Sequence, residues 1–239
     1  MPKFLIDHDV LGKVLVTIHP TARKFIARRG DEYLEVTVPK YATQEKIMEV
    51  LDQLAPQILD SCKSRNEVRY YESQVIDIAG VIVTITRQNH SPQMVFASQH
   101  EPLVATIMVG TDCDLDNSST IRTISKGLKL IAKRNAAKIL LPRARQLAEI
   151  HGCHPSGWQI SSGSRILGKC SGEGVINLSY MTMFLPAELR DYVICHELAH
   201  LSEFNHSPRF HQLCDQYVGG REKQLIAQLK AFHWPLLRK

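Results

Sequence analysis

No apolar run in this sequence approaches the ~20 residues of a membrane-spanning helix, so no membrane partner is expected. The first ten residues carry Asp7, His8 and Asp9 and lack the apolar core of a secretory signal, which makes the cytoplasm the expected location. Six cysteines, at 62, 113, 153, 170, 195 and 214, form no C-x-x-C pair and no cluster. That spacing speaks against a disulfide framework and against a cysteine-based zinc site, and leaves the thiols reduced and mostly buried. Aromatic residues make up only 7 % of the chain, and no zinc ribbon or aromatic-rich stretch offers a base-stacking platform for nucleic acid. What remains is an ordinary globular composition: 239 residues, 44 % hydrophobic, with 29 basic against 24 acidic side chains. Such a chain can bury a real core and hold one large domain or two small ones.

Short apolar runs at 14–18, 24–27 and 33–38 are separated by Pro20-Thr21 and Arg29-Gly30-Asp31, which predicts a three-stranded antiparallel meander. Ile47, Val50, Leu51, Leu54 and Ile58 then recur with a helical period over 42–61, with Thr43 as N-cap. Strand grammar returns at 75–78, 81–85, 94–97 and 103–107, and nothing between 68 and 109 resembles a nucleotide loop. The alternating acids Asp112, Asp114 and Asp116 lack the central Gly and distal Glu of a calcium loop, so they read as an acidic linker with an Asx turn. Ser118 or Ser119 can cap a long helix running to about His151, which Pro142 should kink or split. Between Arg122 and Arg145 this helix has eight basic residues and no acidic one, with Arg122, Lys126, Lys129 and Lys133 on one face. Nucleic acid is therefore the alternative partner, although a solvated helix face is what such runs usually mean. Strands at 158–161 and 175–178 follow, around the turn Ser161-Ser162-Gly163-Ser164, and the chain closes with helices at 210–218 and 222–232 parted by Gly219-Gly220.

The chemistry is concentrated in the stretch LPAELRDYVICHELAHLSEFNHSPRF, residues 185–210. Pro186 suits a first helical position, and no Gly or Pro interrupts residues 189–201, so the H-E-x-x-H of His196, Glu197 and His200 falls on a helix. At about 100° per residue the two histidines diverge by only about 40°, so both imidazoles can reach one ion. Glu197 points roughly 60° to the side, badly placed as a ligand and well placed to take a proton from a metal-activated water. Catalytic zinc usually takes three protein ligands, and His206 is the natural third, at the interval of the long pattern H-E-x-x-H-x-x-G-x-x-H. Glu203 stands where that pattern has Gly, so Asn205 is the candidate for a left-handed residue ending the helix. Ser207-Pro208 reads as the cap and first turn of a new helix, which would hold His206 at a corner. Glu222 is an alternative third ligand, and His211 or Cys214 could supply the fourth ligand of a structural zinc module.

The run 192–201 with Asn205-His206-Ser207-Pro208-x-Phe210 resembles the signature of the YgjP-like metal-dependent hydrolases, and more distantly the SprT and WLM metalloprotease domains. The resemblance implies a minimal zincin fold with His196, His200 and His206 as zinc ligands and Glu197 as catalytic base. The family's R-W-G-S-C-S run followed by G-x-I-N-L is kept at Arg165, Cys170, Ser171, Gly174, Ile176, Asn177 and Leu178, while Ile166-Leu167-Gly168-Lys169 replaces the Trp-Gly-Ser portion. His211 stands where the family usually has Trp. The expected fold is α+β: an antiparallel β-rich region over 1–117, then a zincin-like helical metallopeptidase domain with a small edge sheet over 118–239. The expected activity is zinc-dependent cleavage of amide bonds in a peptide or protein lying along the strand near Ile176, with Arg165 and His211 as candidate substrate or oxyanion contacts. A DNA-associated protease, a nucleic-acid-binding protein using the basic helix and a non-catalytic structural zinc module are the alternatives.

Overall fold

The computed structural model describes residues 2–29, 33–63 and 68–237. Its chain forms two compact units, residues 1–67 and 68–239. In the first, strands β1 (Lys3–His8), β2 (Gly12–His19), β3 (Ile26–Arg29) and β4 (Leu34–Pro39) are followed by helix α1 (Gln44–Lys63). Alternation buries Ile6, Val14, Val16, Val36 and Val38 on one face of the sheet, where they share a core with Ile47 and Leu51 of α1. Thr43 caps α1 as expected, its hydroxyl accepting the Lys46 N–H at 3.3 Å. The strands are not the expected antiparallel meander. Their order is β1-β2-β4-β3, with β2 and β4 parallel, because β4 enters between β2 and β3. The segment 20–25 is long enough to step across that strand position, so successive strands need not pair.

The second unit begins with the same arrangement. Strands β5 (Val75–Ile78), β6 (Val81–Gln88), β7 (Val95–Glu101) and β8 (Val104–Gly110) lie in the order β5-β6-β8-β7, and helix α2 (Ser118–Ile150) follows. The central pair is again parallel, and the registers correspond: Thr17 sits opposite Thr37, as Thr84 sits opposite Thr106. Val14-Leu15-Val16-Thr17-Ile18 and Val81-Ile82-Val83-Thr84-Ile85 are therefore one strand written twice, each entered through a glycine at positive φ, Gly12 and Gly80. The expected boundary at 117/118 falls inside this unit, since α2 packs on β7 and β8 and shares their core through Ile124, Leu128 and Ile131.

Helix α2 is capped by Asn117, whose side-chain oxygen accepts the Ser119 N–H at 2.8 Å, one residue ahead of the expected serines. The acidic linker closes the expected Asx turn, with the Asp116 N–H on Asp114 Oδ1 at 3.0 Å. Pro142 does not split the helix, because burial of Leu140, Ala144, Leu147 and Ala148 holds both halves to the same core. Beyond it come β9 (Gly157–Ser161), β10 (Gly168–Cys170), β11 (Val175–Ser179), a 3-10 turn (Tyr180–Phe184), and helices α3 (Ala187–Ala199), α4 (Pro208–Tyr217) and α5 (Glu222–Ala231). The small sheet is ordered β10-β11-β9. Ile176 thus lies in the central strand and is 0 % exposed; the edge strand beside α3 is β10. No helix of the described residues is long and apolar enough to cross a membrane.

Candidate active site

Helix α3 is largely buried, through Leu189, Tyr192, Val193, Ile194, Cys195, Leu198 and Ala199, and beyond Tyr192 its residual opening lies at His196 and His200. The helix ends at His200, where the N–H groups of Ser202 and Glu203 both turn back to the Ala199 carbonyl. Asn205 is therefore not the helix stop, and it has no left-handed backbone: among the described non-glycine residues only Ser73 and Ala79 have positive φ. In its place the His200 Nδ1–H donates to the Glu203 carbonyl at 3.0 Å, which fixes the ring and leaves Nε2 free. Ser207 Oγ accepts the Phe210 N–H at 3.2 Å and caps α4, with Pro208 in its first turn, so His206 is held immediately before a helix start.

These elements bring His196, His200 and His206 together, each offering a ring nitrogen within 4.8 Å of the others. The Nε2 atoms of His196 and His206 are 3.1 Å apart. Tetrahedral zinc with bonds of about 2.0–2.1 Å sets ligand nitrogens roughly 3.3 Å apart, so the His196–His206 pair suits the ion in spacing and all three imidazoles suit it in chemistry. Burial, reinforced by the neighbouring His200 and His206, pushes the His196 pKa down to about 4, and burial lowers that of His200 as well. Neutral rings keep their lone pairs available for a metal. Beneath all three lies Phe210, 0 % exposed, stacked on His200 at 4.4 Å and edge-on to His196 and His206 at 4.8 Å. This apolar floor restricts the ring rotamers.

Glu197 sits on the flank of the cluster, 5 % exposed. Burial raises its pKa from 4.5 to about 7, against the opposing hydrogen bond from the Cys170 N–H. A Cβ on Gly168 would fall 2.5 Å from Glu197 Oε1 and 2.6 Å from its Cγ, so residue 168 is glycine because the carboxylate occupies that space. The two ladder bonds Ser179 N–H to Leu167 carbonyl and Ser171 N–H to Val175 carbonyl set the parity of β10. By alternation, the backbone groups of Gly168 and Cys170 point away from β11 toward the open edge, beside Glu197.

The model of the YgjP-like metallopeptidase domain matches residues 24–231. The chain belongs to this family. Membership makes it a metallopeptidase-type hydrolase whose cofactor is a divalent metal, typically zinc, and the three-histidine cluster fits that cofactor. Among solved structures, the metallopeptidase zymogen of Pyrococcus abyssi abylysin is similar at 22 % identity and a TM-score of 0.35, over 38 % of this chain and 92 % of that one. No curated protein matches.

Other residues singled out in the sequence lie around the cluster rather than in it. His211 Nδ1 is 2.9 Å from Glu222 Oε1, and its ring centroid is 6.3 Å from that of His206. Glu222 is committed to that pair, its own N–H donating to Asp215 Oδ1, and among the described residues the group able to hold an ion comprises the three histidines without Glu222, His211 or Cys214. Arg165 is exposed on the loop between β9 and β10. Of the basic residues on α2, Arg143 pairs at the surface with Asp191 of α3 through two bonds of 3.0 and 2.6 Å, and Lys133 lies over the Tyr180 ring at 4.9 Å. Phe210 and Gly168 were the functional neighbours the sequence concealed. Phe210 was visible only as part of a signature, and Gly168 only as a departure from one.

Proposed function

We propose that this chain is a zinc-dependent peptidase, with His196, His200 and His206 holding the metal and Glu197 acting as general base. The observation that carries the reading is the buried Glu197 carboxylate, walled by Gly168 and the Cys170 N–H on the flank of three converging imidazoles. Zinc bound there supplies a Lewis acid that makes a water nucleophilic near neutral pH and polarises a scissile carbonyl. Glu197 takes the proton released by that water and delivers it to the departing amine, a role for which a pKa near the working pH is suited. His200, tied to the Glu203 carbonyl, and His206, braced by the α4 cap, keep the donor set from rearranging. The peptide lies extended along the open edge of β10, pairing with the backbone of Gly168 and the Cys170 carbonyl, the groups that face away from β11, rather than along the central strand at Ile176. Any help from His211 to the developing oxyanion would come from the ring nitrogen that does not face Glu222.

A structural zinc module needs a fourth donor. Cys214 is fully buried with its thiol pKa pushed up, and His211 is paired with Glu222, which leaves neither well suited to that part. Peptide-library profiling of the zinc-loaded protein, read by product masses, tests the proposal. Amide-bond cleavage that stops on chelation and returns with zinc supports it; an intact library in the presence of a stoichiometrically loaded protein contradicts it.

A further inference from the structure

A cavity of about 450 Å³ adjoins β10, and its polar lining includes Ser161, Ser162, Ser164, Arg165, Lys169 and Asn177. Strand parity places it. Gly168 and Cys170 face Glu197, so Lys169 between them faces the other side of the sheet, and Asn177, directly opposite Lys169 on β11, faces with it. Among the described residues the lining carries two cations and no carboxylate. It also carries an unmet demand: Asn177 Oδ1 is buried without a hydrogen-bond partner among the described residues. An occupant that satisfies both features brings a negative charge for Arg165 and Lys169 and an N–H donor for Asn177. A carboxylate attached to a peptide has both.

An extended peptide paired with the open edge of β10 alternates its side chains as β10 does. Where one side chain turns toward Glu197, the next turns toward Lys169. We infer that the cavity lined by Arg165, Lys169 and Asn177 is a specificity subsite for a carboxylate carried by the peptide, on a residue adjacent to one facing Glu197. The inference rests on the peptidase reading for the peptide's position, and on the cavity alone for its charge. The carboxylate can belong to an Asp or Glu side chain or to the free C-terminus of a short peptide, and the two sources are separable.

The test is binding, measured by fluorescence anisotropy on the zinc-loaded Glu197→Gln protein with labelled peptides that differ only in charge. One pair exchanges an internal Glu for Gln; a second exchanges a C-terminal acid for its amide. The subsite requires one acidic member to bind roughly tenfold more tightly than its neutral twin, the scale of one charge-assisted pair. The pair that shows the difference identifies the source. Arg165→Ala and Lys169→Ala should each erode the preference, and the double reversal Arg165→Glu with Lys169→Glu should move it to a lysine-bearing peptide. Equal binding of both pairs, or a preference untouched by all these variants, overturns the subsite. Hydrolysis by the wild type regardless of peptide charge would remove the subsite and leave the peptidase standing. A charge preference in binding with no peptide hydrolysed by the zinc-loaded wild type would remove the peptidase and leave an acidic-peptide binding site.

Discussion

Glu197 is a carboxylate that the fold shields from water, and its titration should be measurable as stability. Its pKa rises from 4.5 to about 7 in the folded, metal-free chain, so between those values the folded state keeps a proton that the unfolded state has lost. Stability contributed by this group is therefore full below about 4.5 and is lost as pH rises through about 7. His196 acts in the opposite sense, since a folded pKa of about 4 against 6.5 makes stability rise with pH over that window. Comparing metal-free Glu197→Gln with the wild type isolates the carboxylate: the variant should gain on the order of 3 kcal/mol relative to the wild type above pH 7, shrinking toward acid, in urea unfolding series. A pH-independent difference would contradict the burial account. Gly168→Ala probes the same carboxylate from the strand side. The added methyl must displace it, so turnover should fall roughly a hundredfold while zinc content stays at one per chain. At this scale the H-E-x-x-H and His206 were legible because their geometry follows from helical spacing within one short stretch. Gly168 was not, because its constraint comes from a side chain far along the chain.

Among the elements, the α3–α4 corner is the one on which the metal geometry depends. Ser207→Ala removes the cap of α4 and should cost about 1 kcal/mol in thermal unfolding, with a measurable loss of zinc affinity because His206 is the preceding residue. A variant with unchanged affinity would show that His206 is positioned by Phe210 instead. Caps and helices such as Thr43 on α1 and Ser207 on α4 could be read from the sequence because they rest on local hydrogen bonds. The helix stop was misplaced at Asn205 because the chain closes α3 with backbone bonds to the Ala199 carbonyl, which leave no residue signature. Strand β10 escaped notice because it has three residues, one of them glycine, and the central role of Ile176 was hidden with it. The meander failed for a related reason: pairing order is a long-range property, and apolar alternation specifies which face is buried but not which strand lies alongside.

At the scale of the molecule, the three histidines, Glu197, β10 and the core beneath them all belong to residues 68–239. A chain of those residues alone should fold and bind one zinc, checked by circular dichroism and metal analysis, whereas an unfolded product would show that the first unit is needed for folding. The repeated sheet topology of the two units was present in the sequence as the pair of V-x-V-T-I strands, and it became recognisable once their registers could be compared. The basic stretch of α2 is partly engaged by its own fold, through Lys133 with Tyr180 and, outside the face that carries Lys133, Arg143 with Asp191. Anisotropy titrations with DNA should accordingly show no sub-micromolar, salt-sensitive complex, and finding one would revive the nucleic-acid alternative. The central claim, that Glu197 works as the base beside a three-histidine zinc site, is tested most directly by zinc content and peptide turnover measured together on wild type and Glu197→Gln. One zinc per chain is expected in both proteins, with turnover in the wild type alone; a zinc-loaded Glu197→Gln protein that cleaves at the wild-type rate would exclude Glu197 as the base.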